Sequence, residues 1–219
     1  MKFAYKLICG LLLSMLLSAA ATAADNFDQQ LLQLQEGWAA ANYQLPAAEK
    51  NAAFEKLTQQ ADALMTSNAT RAEPMVWKAI IESTHAGAKG GLAALPMLKD
   101  ARNLLLKAES TDPKVLSGSV YTSLGSLYYK VPGWPISFGN KSKAEEYLKK
   151  ALAVNPNGID PNYFYADYLY QQGKSADALP YIHRALAAAD RPGRPLADAG
   201  RRKEAAELQH NIEGKLASK

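Results

Sequence analysis

Small residues recur at one spacing in three segments of the chain, and this pattern constrains the fold more than any other feature. Each segment has an alanine, an aliphatic residue four positions later and a second alanine three positions after that. The three sets are Ala101, Leu105 and Ala108; Ala144, Leu148 and Ala151; and Ala178, Ile182 and Ala185. Positions i, i+4 and i+7 lie on one face of an α-helix. The spacing therefore predicts three helices, each of which lets a neighbouring helix approach closely.

A partner helix is expected upstream of each alanine set. In the middle unit it carries Tyr121, Leu124, Gly125 and Tyr128. The corresponding residues are Trp77, Ile80, Ile81 and Thr84 in the first unit and Asn162, Tyr165, Ala166 and Leu169 in the third. Because glycine has no Cβ, Gly125 marks the point where the two helix backbones would come closest. The chain is thus predicted to be a series of helix pairs.

The middle unit resembles the tetratricopeptide repeat (TPR) family. The family pattern is matched on the first helix of the unit by Tyr121, Leu124, Gly125 and Tyr128, and on the second by Ala144, Leu148, Ala151 and Pro156. The resemblance covers roughly residues 73 to 190. It implies an all-α fold, a short right-handed α-solenoid of TPR-like antiparallel helix pairs with a C-terminal capping helix.

The resemblance and the flanking apolar patterns divide the chain into four parts. Residues 25–72 read as an N-terminal helical pair, either a degenerate repeat or a cap. Residues 73–195 hold the three TPR-like units. Residues 196–219 are expected to form a capping helix and tail, which a solenoid needs at its end.

Residues 1–24 have the features of a cleaved bacterial signal peptide. Lys2 and Lys6 are followed by a short apolar segment and then by a small-x-small site at residues 21–23. An uncleaved membrane anchor is the alternative. The single cysteine, Cys9, lies inside this segment. We therefore expect a periplasmic or secreted protein of the bacterial TPR type, with no cysteine and no membrane insertion after cleavage.

Several function classes are disfavoured by composition and motifs. The net charge is only +4, with no basic run, so no nucleic-acid partner is expected. The three histidines show no metal-ligand spacing, and no phosphate-binding or nucleophile motif occurs. The sequence predicts no enzyme, no cofactor and no metal site.

Candidate binding residues follow from the family resemblance, in which the first helix of each unit lines the concave surface. The first unit contributes Lys78, Glu82 and His85; the second contributes Thr122, Ser126, Tyr129 and Lys130; and the third contributes Tyr163, Asp167 and Tyr170. This polar and aromatic set suits recognition of a ligand. An ordinary hydrated face is the alternative.

The most unusual stretch is residues 131–140, which separate the two helices of the middle unit and are called the insert loop below. Its two prolines stiffen it, and Trp134 and Phe138 supply a large apolar area. These two aromatic residues either anchor a partner or cover a groove, or they fold back as a small satellite core.

The insert loop and the helix that follows also resemble the T-component proteins associated with TRAP transporters. This chain differs from them in lacking a lipid-anchor cysteine and in being short. We expect a scaffold that binds another envelope protein or a peptide segment, and the alternative is an accessory component that binds a small solute. A solute site needs convergent polar groups in an enclosed volume, whereas a scaffold needs an open groove.

Overall fold

The computed structural model describes residues 26–218, which contain nine α-helices. Helix α1 covers residues 26–43. The others are α2 (Ala47–Ser67), α3 (Glu73–Lys89), α4 (Leu95–Thr111), α5 (Val115–Lys130), α6 (Lys141–Val154), α7 (Ile159–Gln171), α8 (Ser175–Leu186) and α9 (Pro195–Ala217), with a short 3₁₀ turn at Leu92–Ala94. None of the helices in this range is both long and apolar enough to cross a bilayer. The expected signal peptide lies outside the described residues.

The helices form two layers. Each helix packs against the next one in the chain, and the odd-numbered helices also pack against one another. Helices α3, α5, α7 and α9 contact one another in succession, and α4, α6 and α8 each contact the odd-numbered helices on both sides. Residues of α1 contact α3 as well. The odd-numbered helices are called the inner layer below. The predicted all-α stack of helix pairs is therefore confirmed.

The alanine seam holds each pair together as the spacing predicted. Each of the nine residues of the three sets has at most 1% of its surface exposed to solvent. At the middle pair, a Cβ built on Gly125 would lie 2.6 Å from Leu148 Cγ and 3.1 Å from the Leu148 backbone nitrogen. Only a residue without a side chain fits between α5 and α6 at this point.

The first and last helices meet, which the repeat pattern does not predict. A Cβ on Gly200 of α9 would lie 2.6 Å from the ring of Tyr43 at the end of α1, and a Cβ on Gly193 would lie 3.1 Å from Leu32 Cδ1. Ala197 of α9 also belongs to the apolar core formed by α1, α2 and α3. The contact between α1 and α9 therefore joins the two ends of the inner layer.

The insert loop divides its two aromatic residues between the core and the solvent. Gly133 and Gly139 form an isolated β-bridge that closes the loop. Phe138 packs edge-to-face on Tyr128, with ring centroids 5.8 Å apart. Trp134 is 90% exposed. The satellite-core interpretation therefore holds for Phe138 and is wrong for Trp134.

Candidate functional site: the inner pocket

A pocket of about 380 Å³ lies on the inner layer. Every lining residue comes from α1, α3, α5, α7, α9 or the turn before α9. The lining consists of Trp38, Asn42, Tyr43, Trp77, Ile80, Ser83, Thr84, Gly87, Ser119, Thr122, Ser123, Ser126, Leu127, Lys130, Asp160, Tyr163, Phe164, Arg191, Arg194, Ala197, Arg201 and Glu204. The contact between α1 and α9 gives the concave face this bounded form.

Aromatic rings form part of the pocket wall. Trp38 and Trp77 meet edge-to-face with centroids 5.9 Å apart. Trp38 Nε1 donates a hydrogen bond to Thr84 Oγ1 at 3.0 Å, which fixes the indole against α3. Tyr163 and Phe164 form a second edge-to-face pair at 5.1 Å. These rings give the pocket apolar faces of fixed orientation.

A charged cluster links α7 to α9 beside these rings. Arg191 Nη1 donates to Asp160 Oδ2 at 2.5 Å, and Arg201 Nε donates to Asp160 Oδ1 at 2.8 Å. Burial alone would raise the pKa of Asp160, but Arg201 and Arg191 outweigh burial and lower that pKa from 3.8 to about 2. Arg191 also pairs with the buried Asp198, and Arg201 with Glu204. The cluster holds the start of α9 against the rest of the stack.

Four of the sequence-predicted site residues line the pocket: Thr122, Ser126, Lys130 and Tyr163. Two others support them from behind. Tyr129 Oη donates to Asp167 Oδ2 at 2.6 Å, and Lys130 Nζ lies 3.4 Å from the same oxygen. Tyr170 packs at the edge of the repeat core and does not belong to the lining. Phe138 and Trp134 of the insert loop also lie outside it.

The three candidates of the first unit do not line the pocket, and this corrects the expectation from sequence. Lys78 Nζ donates to Asp62 Oδ1 of α2 at 2.5 Å and lies 3.6 Å from Glu82 Oε1. The His85 ring is buried and stacks on Phe54 of α2, with centroids 5.7 Å apart. Lys78 and His85 therefore contact helix α2, and Glu82 lies beside Lys78, so none of the three belongs to the pocket lining.

A slip of one residue explains the error. The alanine sets of the first two units are 43 residues apart, but the correspondence of Trp77 with Tyr121 on the first helix of each unit implies a shift of 44. One residue turns a helix face by about 100°. With a 43-residue shift, Ser126 and Lys130 correspond to Ser83 and Gly87, which do line the pocket. The alanine spacing itself contained the signal that would have given the correct face.

The described residues contain no group of three or more histidine, cysteine, aspartate or glutamate side chains arranged to hold a metal ion. The polar groups that converge on the pocket are instead three arginines, one lysine, one asparagine, several hydroxyls and two carboxylates. This set can bind a ligand by hydrogen bonds and charge.

No family model matches the chain, and no match was found among curated proteins. One solved structure, that of a thermophilic TPR protein from Thermus thermophilus, is similar over 79% of this chain and 99% of its own, with 17% identity and a TM-score of 0.39.

Proposed function

We propose that this protein is a non-enzymatic ligand-binding protein of the bacterial cell envelope, and that its ligand occupies the inner pocket. The observation that carries the proposal is the contact between α1 and α9, because it turns a concave face into a bounded pocket. The volume of about 380 Å³ falls within the size of known small-molecule sites, roughly 300 to 1,000 Å³. An open groove for a long peptide would lack that boundary.

The proposal also includes a location and a pathway for the protein. The signal-peptide pattern of residues 1–24 supports an envelope location. The T-component resemblance of the insert loop region, together with a bounded pocket, favours an accessory role in a periplasmic solute transport system.

Replacing Ser126 by Trp should block the pocket and weaken ligand binding. Ser126 lies on α5 with its side chain in the lining, so an indole there would fill part of the volume. The neutral fluorescent dye N-phenyl-1-naphthylamine serves as a probe of apolar volume that is independent of charge. We expect the dye to bind the unchanged protein with enhanced fluorescence and the Ser126→Trp variant at least tenfold more weakly.

The matched control is Ser110→Trp, which places the same indole on an exposed position of α4. That variant should bind the dye like the unchanged protein. Equal dye binding by both variants, or none by the unchanged protein, would argue against the pocket as the binding site.

The exposed insert loop favours a second candidate function, a scaffold that docks another envelope protein. Trp134 is 90% and Ile136 57% exposed, on a loop closed by its own β-bridge. A large aromatic side chain held in solvent by a constrained loop is typical of interface anchors.

Replacing Trp134 by Ala tests this second candidate. We expect the free energy of unfolding to change by less than about 0.5 kcal/mol, because an exposed side chain has few contacts to lose. Phe138→Ala should instead cost about 2 kcal/mol, since Phe138 packs on Tyr128 and lies under Arg102. Chemical denaturation measures both changes.

A capture experiment tests binding. The unchanged chain, the Ser126→Trp variant and the Trp134→Ala variant are each used as bait for envelope proteins. A protein that is retained by the unchanged chain and by Ser126→Trp but lost with Trp134→Ala would support the scaffold. Identical capture by all three baits would remove Trp134 from the binding surface.

A further inference from the structure

Arg194 differs from the other cations of the inner pocket. Three of the four lining cations are paired with carboxylates: Lys130 with Asp167, Arg191 with Asp160 and Asp198, and Arg201 with Asp160 and Glu204. Arg194 makes no ion pair with any described residue, and its buried Nε atom has no hydrogen-bond partner among them. Arg194 is therefore the one lining cation without an ion-pair contact among the described residues, although Asp160 and Asp198 are near enough to act on its charge.

The position of Arg194 favours contact with an anion in the pocket. Its guanidinium lies 4.8 Å from the centroid of the Trp77 ring, and Trp77 itself is buried. Burial, and then the nearby Arg191, lower the pKa of Arg194 to about 10, so it is still charged at neutral pH. A cation withdrawn from water attracts an anion more strongly than an exposed one does.

Several other lining groups can donate hydrogen bonds to a ligand. Trp77 Nε1 and Tyr43 Oη are buried and have no hydrogen-bond partner among the described residues. Burial raises the pKa of Tyr43 to about 12, so its hydroxyl keeps its proton at neutral pH. The hydroxyls of Ser123 and Ser126 lie in the same lining. This part of the pocket suits a ligand rich in hydrogen-bond acceptors.

We propose that the inner pocket binds an organic carboxylate, with Arg194 as the partner of its charge and the aromatic wall in contact with its apolar part. This inference rests on the proposed ligand-binding function. A planar guanidinium fork matches the two oxygens of a carboxylate. The four lining cations are matched in number by Asp160, Asp167, Asp198 and Glu204, so a ligand with one negative charge is repelled less by these carboxylates than a phosphate dianion would be, which favours a carboxylate. The rings of Trp38 and Tyr163 offer surface to the remainder of the molecule.

A matched pair of probes isolates the charge: 4-phenylbutyrate and 4-phenylbutyramide have the same apolar part and differ in the anionic group. The protein has three tryptophans, so the indole N–H region of a ¹⁵N spectrum reports on Trp38, Trp77 and Trp134 separately. We expect the carboxylate to shift the Trp77 signal, which lies beneath Arg194, and to leave the exposed Trp134 signal unchanged. The amide should bind at least tenfold more weakly.

Arg194→Gln should weaken the carboxylate at least tenfold and remove the preference over the amide. Arg184→Gln is the matched control, because Arg184 is also stacked on an aromatic ring, 4.4 Å from the Tyr181 centroid, but lies outside the pocket. It should leave the preference intact. The acid-to-amide ratio of the unchanged protein is an independent readout should the Arg194 variant fold poorly.

Two results would overturn the inference, and they are distinguishable from each other. If the neutral dye binds in the pocket but the acid and the amide bind equally or not at all, the carboxylate is wrong and the ligand-binding function stands. If neither the dye nor either probe perturbs Trp38 or Trp77, the proposed function falls as well.

Discussion

Replacing Asp160 by Asn is expected to lower the free energy of unfolding by about 3 kcal/mol. Asp160 accepts hydrogen bonds from both Arg191 and Arg201, and Arg201 is almost wholly buried. Removing the carboxylate leaves part of that positive charge without compensation. The loss falls at the lower end for a buried pair because Arg191 keeps Asp198 and Arg201 keeps Glu204. Urea unfolding at neutral pH measures the change.

The pH dependence of stability provides a second readout. Because the pKa of Asp160 is about 2 in the folded protein and 3.8 is its ordinary value, the carboxylate stabilises the fold above about pH 4. That contribution, about 2 kcal/mol, is lost as the pH falls from about 4 to 2. The Asp160→Asn variant should lack this part of the acid loss.

Asp190→Asn is the matched control, since Asp190 pairs with Arg202 at 2.7 Å but is 83% exposed. An exposed ion pair contributes about 0 to 1 kcal/mol, so this change should be small. Similar losses for the two variants would contradict the structural role assigned to the Asp160 cluster.

Replacing Gly125 by Leu is expected to cost about 3 kcal/mol or more, or to prevent folding. Its Cβ would lie 2.6 Å from Leu148 Cγ and close to the backbone of α6, so the two helices must separate. Thermal unfolding followed by circular dichroism would detect the loss. Because α5 and α6 lie in the middle of the stack, their separation disturbs the pairs on both sides.

Gly214→Leu serves as the control because Gly214 is also helical but has no atom within 4 Å of a built Cβ. Leucine has a better helix propensity than glycine, so this variant should be as stable as the unchanged protein or slightly more stable. A destabilised Gly214→Leu would mean that bulk in a helix, rather than the α5–α6 contact, causes the effect.

The local part of the fold could be predicted from sequence because it depends on residues a few positions apart. The seam at Ala144, Leu148 and Ala151 and the close approach at Gly125 follow from helical periodicity alone. The predicted pocket face of the first unit is wrong by one residue, because Trp77 does not correspond to Tyr121 on the first helix of the unit. The insert loop left two interpretations open, and only tertiary contacts separate Phe138 from Trp134.

The remaining part of the pocket could not be predicted because it depends on contacts between distant segments. Tyr43 and Gly200 are far apart in the chain, and nothing in the repeat pattern pairs α1 with α9. Arg191, Arg194 and Arg201 look like ordinary surface charges of a polar turn and a capping helix. Their role becomes visible only when α9 lies beside Asp160 of α7.

The contact between α1 and α9 also bears on how the protein unfolds. In an open repeat array each unit touches only its neighbours, so the outermost helices fray first and the array can melt in stages. Here Tyr43 at the end of α1 and Gly200 in α9 fit against each other, so loss of one terminal helix removes support from the other. The ring of contacts therefore couples the two ends, and we expect the described helices to unfold in one cooperative transition rather than from either end inward.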